Sequence, residues 1–256
     1  NNNSFEVTDK SISLIVSRGC PYNCQFCATK NFWTAKYICK STDGVIEEIR
    51  DVMRRGAEYI KFRDSTFVVN KKWVYELCEK ILEQGMRFHW AVNARVNLVD
   101  YDMFRLMKKA GLDTVCFGVE SGSQRILDFY GKGVTLEQTE KAFEICKRLG
   151  LRTGAYFMLG ALPETREEME MTYQFAKKLK ATYSWVFLFM PLPGAELYQY
   201  YIDQGHTFDY SRIRSDKAVF SSAGLTVDEL EAMRSRWYED LNPRPNRVKQ
   251  GINVIL

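Results

Sequence analysis

Six short runs rich in β-branched and aromatic residues recur along the chain: "SISLIVS", "AEYIKFR", "RFHWAVN", "LDTVCFGV", "RTGAYFML" and "YSWVFLF". Each predicts a strand, and their near-continuous apolar character suits a sheet covered by helices. Between the runs, apolar positions take helical spacing. In "DGVIEEIRDVMRRG", Val45, Ile49, Val52 and Met53 share one face, and Gly56 follows as terminator. "NKKWVYELCEKILEQG" repeats this design, with Asn70 as N-cap and Gly85 closing the helix. "TLEQTEKAFEICKRLG" opens on Thr135 with Gln138 three residues later, the spacing of a capping box. "DYDMFRLMKKAG" and "TREEMEMTYQFAKKL" complete the alternation. Six strand–helix units in series imply parallel strands with right-handed crossovers, which fit a doubly wound sheet and a barrel alike.

After "YSWVFLF" the regularity ends. "MPLPGAELYQYYIDQG" reads as a turn and short helix, "FDYSRIRSDKAVFSSAG" as irregular, and "TVDELEAMRSRWYEDL" as a last helix before the basic tail "NPRPNRVKQG". No Gly/Ser or Pro linker divides the chain. The expected organisation is an N-terminal tail (1–11), one α/β domain (12–203) and a C-terminal extension (204–256).

Composition narrows the function classes. With 256 residues, 46% hydrophobic, the chain is of ordinary globular make-up. A net charge of +4 is too small to indicate nucleic-acid binding. The Lys pairs at 71–72, 108–109 and 177–178 read as solvated helix faces. No run approaches the roughly 18 to 20 apolar residues of a membrane span, and "NNNSFEVTDK" lacks the apolar region of a signal peptide. The first residue is Asn, so the sequence reads as an excerpt of a longer protein or a processed chain. Seven cysteines are an odd number for a disulfide framework. Three are clustered, and Cys39, Cys78, Cys116 and Cys146 are scattered. That pattern points to a reducing, cytoplasmic setting and a metal site, with Cys78, Cys116 and Cys146 as buried, inert thiols.

In sheets of parallel strands, ligands sit at the carboxyl ends. Cys20 follows the first strand, Asp64 and Ser65 the second, Asn93 and Arg95 the third, and Glu120 the fourth. Gly160 follows the fifth, and Pro191 to Gly194 the sixth. The cysteines are spaced Cys20-x3-Cys24-x2-Cys27. Structural zinc takes four closed ligands; Cys39 is the nearest fourth thiol, and neither His89, read as a strand-end residue, nor His206 is near in sequence. A zinc- or cluster-containing binding module is thus the alternative reading. Three thiolates on a four-iron cluster leave one iron open to a small molecule.

This CxxxCxΦC motif, with Phe26 as the aromatic, resembles that of the radical S-adenosylmethionine (SAM) superfamily. "FRDSTF", "FGVESGSQRILDFYGKGVT", "GAYFMLGALPET" and "FMPLPGAELY" extend the resemblance over roughly residues 12 to 203. They are similar to the branch of the cobalamin-dependent radical SAM enzymes, the methylthiotransferases and the coproporphyrinogen dehydrogenase-like enzymes.

The resemblance implies a partial (β/α)6 TIM-like barrel with a C-terminal helical extension. It implies a [4Fe–4S] cluster on Cys20, Cys24 and Cys27 that cleaves SAM reductively to a 5′-deoxyadenosyl radical for C–H functionalisation. Phe26 then lies near the adenine. Arg63-Asp64-Ser65 occupies the place of the Gly-Gly-Glu-type motif that receives the SAM ammonium, and departs from it. Glu120 matches the residue that hydrogen-bonds the ribose, and Lys132 the one that pairs with the SAM carboxylate. Met158 and Met190 match the adenine cradle, and Arg95 faces the same rim. Asp64 and Glu120 also read as turn or capping residues, Lys132 as a solvated loop residue, and the two methionines as core. Methyl transfer with cobalamin is the expected subtype. The eleven polar residues before the first strand are too few to build a corrinoid cleft, so a cobalamin domain is expected upstream. An electron donor such as flavodoxin or ferredoxin and a small-molecule or peptide substrate complete the implied partners.

Overall fold

A computed structural model describes residues 10–33, 36–212 and 214–243; the polar tail and the basic tail read from the sequence lie outside these residues, apart from Lys10, Ser11, Asn242 and Pro243. Six strands pair in parallel and in chain order: β1 (Ser11–Leu14), β2 (Tyr59–Phe62), β3 (His89–Ala94), β4 (Leu112–Glu120), β5 (Arg152–Leu159) and β6 (Tyr183–Leu188). Between them run α1 (Thr42–Arg54), α2 (Lys71–Glu83), α3 (Tyr101–Lys109), α4 (Gln124–Phe129), α5 (Leu136–Arg148) and α6 (Arg166–Leu179). After β6 come α7 (Glu196–Asp203) and α8 (Val227–Leu241). The strand order has no reversal, as a doubly wound sheet would need at its switch point. β1 and β6 do not pair, and the sheet curls into an open half-barrel.

Helix starts follow local chemistry. Asn70 accepts from the Trp73 N–H, and Thr135 with Gln138 forms the full capping box. Gly56 and Gly85 take positive φ just past α1 and α2, where a side chain would be strained. The described residues of 210–225 are irregular apart from a 3-10 turn at Tyr210–Arg212 and a bridge between Ser222 and Leu225.

Alternation along the strands sorts two faces. Ile60, Val92, Val115, Phe117, Ala155 and Phe157 point outward and are buried with the helices in the main core. The concave face carries Lys61, Asn93, Cys116, Tyr156 and Trp185, none of which joins that core. At the amino ends of the strands a polar network floors the hollow. Arg152 pairs with Asp113, the Tyr59 hydroxyl donates to Asp113 at 3.0 Å, and Arg152 reaches the Tyr183 hydroxyl at 3.3 Å. His89 is exposed at this same end, away from the rim.

The first strand is shorter than its apolar run suggests. Pairing stops at Leu14, and Ser17–Arg18 forms a separate antiparallel ribbon with Ile38–Cys39. The reason is Asp64, whose carboxylate takes the Val16 and Ser17 backbone N–H groups.

The free edge of β6 would be an adhesive row of backbone groups. Side chains and loop of the C-terminal segment fill it. Asn242 accepts from the Ser184 N–H at 2.9 Å and donates to the Ser184 carbonyl at 2.7 Å. Arg234 donates to the Val186 carbonyl at 2.8 Å, and the Leu188 N–H reaches the Ser215 carbonyl at 3.1 Å. Beneath them, Leu225, Leu230 and Trp237 pack on Val186 and Leu188. Asn242→Ala strands a buried N–H and a buried carbonyl, each costing about 1–3 kcal/mol. The expected result is a lower urea midpoint with an unchanged slope; an unchanged midpoint would show that the edge is satisfied otherwise.

Candidate active site

The cysteine loop leaves β1 through Gly19, whose φ of 80° turns the chain over the rim. Neighbouring elements hold it by its backbone. The Gln25 N–H donates to the Tyr130 carbonyl at 2.9 Å, and the Leu197 N–H donates to the Gln25 carbonyl at 2.9 Å. Asn23 donates to Glu196 at 2.9 Å, and Asn31 to the Gly194 carbonyl. Gly131, at φ 58°, lets the chain after α4 come so close that an added Cβ would lie 3.0 Å from Gln25. The chain after α4 and the turn into α7 thus fix residues 23 to 31.

Cys20, Cys24 and Cys27 are all half-buried free thiols. Burial raises the pKa of Cys20, and the charges of Cys24 and Cys27 add to it, while the Tyr22 backbone and the Thr66 hydroxyl oppose. Cys20 therefore senses the other two sulfurs, a repulsion that a bound cationic group relieves. Arg95, buried in the rim, points Nη1 at Cys24 Sγ from 3.4 Å, with its guanidinium 4.1 Å over the Tyr22 ring. Cys27 Sγ donates to the Thr29 hydroxyl at 3.1 Å. Among the described residues, no three His, Cys, Asp or Glu side chains gather tightly enough to share a single metal ion. Cys39 lies on the antiparallel ribbon, and burial raises its pKa as well. Cys78, Cys116 and Cys146 are buried, with thiols pushed up by desolvation to about 12, 11 and 12.

Asp64 is 1% exposed. Its Oδ1 accepts from the Val16 N–H at 3.1 Å, from the Ser17 N–H, and from the Ser17 hydroxyl at 2.5 Å. Its carbonyl accepts from Asn93 Nδ2 at 3.1 Å. Oδ2 has no hydrogen-bond partner among the described residues. Ser65, beside it, is exposed.

Glu120 and Lys132 form an ion pair of 2.6 Å, with each side chain 9% exposed. Glu120 ends β4 at φ 67°, a conformation that costs a non-glycine residue of order 1 kcal/mol or more and gathers at functional sites. The pair lies against the bare backbone of Gly118, where a Cβ would sit 2.2 Å from Glu120 Oε1 and 2.7 Å from Lys132 Nζ. Lys132 Nζ also stands 5.6 Å from the Phe26 ring centroid. Phe26 and Met158 share a small apolar cluster with Tyr130 and Phe189. Met190 is half-buried just past β6. The sequence reading placed these residues on the rim but did not anticipate that Glu120 and Lys132 meet, or that Arg95 faces Cys24.

Glu164 is a residue that reading overlooked. It is buried behind the rim, and its Oε2 accepts from the Gly160 N–H at 2.6 Å, fixing the loop after β5. Burial raises its pKa from 4.5 to about 8, with the Glu168 charge adding and the Gly160 and Ala161 N–H groups opposing. Its position in "GALPET" was the available signal.

The Radical SAM superfamily model matches residues 14–176. An uncharacterized methyltransferase of Pyrococcus horikoshii is 34% identical over 93% of this chain and 53% of its own length. The anaerobic magnesium-protoporphyrin IX monomethyl ester cyclase of Cereibacter sphaeroides is 29% identical over 84% of this chain and 36% of its own. The chain therefore spans about half or less of these relatives. Among solved structures, the radical S-adenosylmethionine methyltransferase TsrM from Kitasatospora setae, with cobalamin and a [4Fe–4S] cluster bound, aligns with a TM-score of 0.71. It is 20% identical and covers 79% of this chain and 40% of that one, so this likeness concerns the fold.

Two outcomes are expected. Gly118→Ala drives a methyl group into the ion pair, and overpacking of this kind costs roughly 1–3 kcal/mol; thermal melts that overlay the parent would show that the pair can move aside. Glu164 binds its proton up to about pH 8 folded but only to about 4.5 unfolded, so stability falls as pH rises through that window. Glu164→Gln should flatten the pH profile of Tm, with its gain largest at pH 8 and above. Parallel profiles for the two proteins would exclude a titrating Glu164.

Proposed function

The chain belongs to the radical SAM superfamily, and on that basis we propose that Cys20, Cys24 and Cys27 each bind one iron of a [4Fe–4S] cluster whose fourth iron is left for SAM. When bound, the cluster supplies the single electron that splits the SAM sulfonium into methionine and a 5′-deoxyadenosyl radical. The observation that carries this reading is the loop itself: three free thiols on one short rim segment, with Cys24 and Cys27 close enough to add to the burial-driven pKa rise of Cys20, and the Arg95 guanidinium against Cys24.

The chain's own residues bind, orient and exclude water. Arg95 places a positive charge 3.4 Å from the Cys24 sulfur. Asp64 fixes the root of the loop through Val16 and Ser17. With Oδ1 so occupied, it offers only Oδ2 to the SAM ammonium, and the exposed Ser65 beside it is a second polar group for the same role. Glu120 and Lys132 hold opposite charges side by side in the rim. In this reading Glu120 accepts from the ribose hydroxyls and Lys132 takes the SAM carboxylate, so SAM exchanges one buried pairing for two. Phe26, Met158 and Met190 form the apolar flank for the adenine and keep water from the reactive carbon.

The methyltransferase relative and the cobalamin-bearing structural neighbour favour methyl transfer, with cobalamin held by a segment upstream of this sequence. A one-electron donor of the flavodoxin or ferredoxin type supplies the reductant. No helix among the described residues is long and apolar enough to cross a membrane.

The test is anaerobic reconstitution with iron and sulfide. The parent should hold four irons per chain and form 5′-deoxyadenosine with dithionite and SAM. The Cys20/Cys24/Cys27→Ala triple variant should lose both, and Cys39→Ser should keep both. A four-iron cluster in the triple variant, or zinc without sulfide in the parent, would overturn the assignment.

A further inference from the structure

In a closed barrel, inward side chains fill the centre in layers. Here six strands leave the concave face open, and its side chains are of two kinds. On β5 and β6 they are aromatic. Register pairs Tyr156 with Trp185 and Met158 with Phe187 on the same face. Tyr156 lies 4.9 Å from Trp185 at 35° and 5.9 Å from Phe187 at 25°, while Trp185 lies 6.0 Å from Tyr183 at 35°. Four rings thus form one contiguous aromatic wall, stacked between Tyr156 and Phe187 and tilted by 35° at the other two contacts. Three of them, Tyr156, Trp185 and Phe187, are only half-buried.

On β1 and β2 the same face is cationic. Ser13 and Lys61 are register partners, and Arg63, two residues on, lies over them with Nε 3.4 Å from the Ser13 hydroxyl. Arg63 is exposed and has no ion pair among the described residues. Strand alternation from Lys61 and the Ser13 contact put it on the concave face, where its charge opposes part of the burial-driven rise in the Cys116 and Tyr156 pKa values. The acids that face this space are already matched: Asp113 on the floor with Arg152, and Glu120 on the rim with Lys132. Asn93 stands between the two walls and accepts from the Tyr156 hydroxyl at 3.5 Å. The hollow therefore presents the unmatched guanidinium of Arg63 opposite a π-rich wall.

We propose that the hollow takes a flat, π-rich organic anion, its ring system extending the Tyr156–Trp185–Phe187 stack and its anionic group meeting Arg63. The assignment rests on the radical SAM reading, because it names the substrate class of that site. Rings of this kind stack favourably at centroid separations of about 4.5–7 Å, the spacing of the existing stack. A guanidinium offers paired donors that match a carboxylate or phosphate fork. An aliphatic anion would satisfy one wall, and a neutral arene the other. Only a ligand with both features satisfies the two together.

The test uses 1-pyrenebutyrate, its neutral counterpart 1-pyrenebutanol, and octanoate as the ring-free anion, each titrated against the reconstituted chain with SAM present. The acid should bind at least about tenfold more tightly than the alcohol, as a charge-assisted hydrogen bond allows, and more tightly than octanoate. Arg63→Gln should bring acid and alcohol to within about twofold of each other. Trp185→Ala should weaken both pyrenes and leave octanoate unchanged. Equal binding of acid and alcohol by the parent would overturn the anion assignment. So would an Arg63→Gln variant that keeps the preference but loses SAM affinity, which would give Arg63 to the SAM carboxylate instead. Iron content and 5′-deoxyadenosine formation by the parent judge the radical SAM reading separately. A chain that cleaves SAM but ignores the charge of the probe loses only the present inference, and one that prefers the acid but holds no cluster loses the underlying reading.

Discussion

A single buried carboxylate joins the sheet to the chemistry. Asp64 leaves β2 and takes two backbone N–H groups and a hydroxyl from the chain that has just left β1. Those hydrogen bonds replace the strand pairing that would otherwise continue past Leu14, so the backbone lifts off the sheet and passes through Gly19 into the cysteine loop. A buried carboxylate is tolerated only when hydrogen-bonded or paired, and these donors offset part of its desolvation cost. Because the donors are backbone groups of the loop's own root, the position of Cys20 is tied to the end of β2. Asn93 extends the tie to β3 through the Asp64 carbonyl. The neighbouring Arg95 then reaches Cys24. Three adjacent strands thereby converge on one loop.

The opposite half of the rim is arranged by steric permission. Gly118 removes the one Cβ that would collide with the Glu120–Lys132 pair, and Gly131 admits the chain after α4 to the cysteine loop. Glu120 itself bears the strained backbone angle that turns its carboxylate back over β4. Strain, a missing side chain and a buried ion pair at one strand end make a site that is set before any ligand arrives.

The elements were legible because their signals are local. Strand runs, helix faces, Asn70 and the Thr135–Gln138 box each depend on residues a few positions apart, and apart from the early end of β1 they appear where the spacing put them. The cysteine spacing is equally local. Pairings between strands were not legible. Nothing within "GVESGS" or "YGKGVT" says that Glu120 and Lys132 meet, since their contact depends on how α4 returns to the rim. The early end of β1 was hidden for the same reason, because its cause lies on β2. Arg63 was read with its neighbours as part of a motif, whereas strand alternation turns it into the hollow. The sequence offered candidates for the rim and missed Glu164; the curl of the sheet determines which of them meet.

The way the last strand is finished bears on how the chain is born. During synthesis, β1 to β5 emerge with their neighbours close behind and can pair as they leave the ribosome, since domains fold as their elements become available. β6 pairs with β5 in turn, but Ser184, Val186 and Leu188 wait for Ser215, Arg234 and Asn242, the last lying 58 residues downstream of Ser184. Until those residues appear, a nascent chain carries an unfinished edge that can recruit another nascent chain. A chain ending before Val227 would lack Arg234 and Asn242, leaving the Val186 carbonyl and both Ser184 backbone groups without these partners. The segment from Ser215 to Asn242 thus seals β6 only after the strand itself has been made.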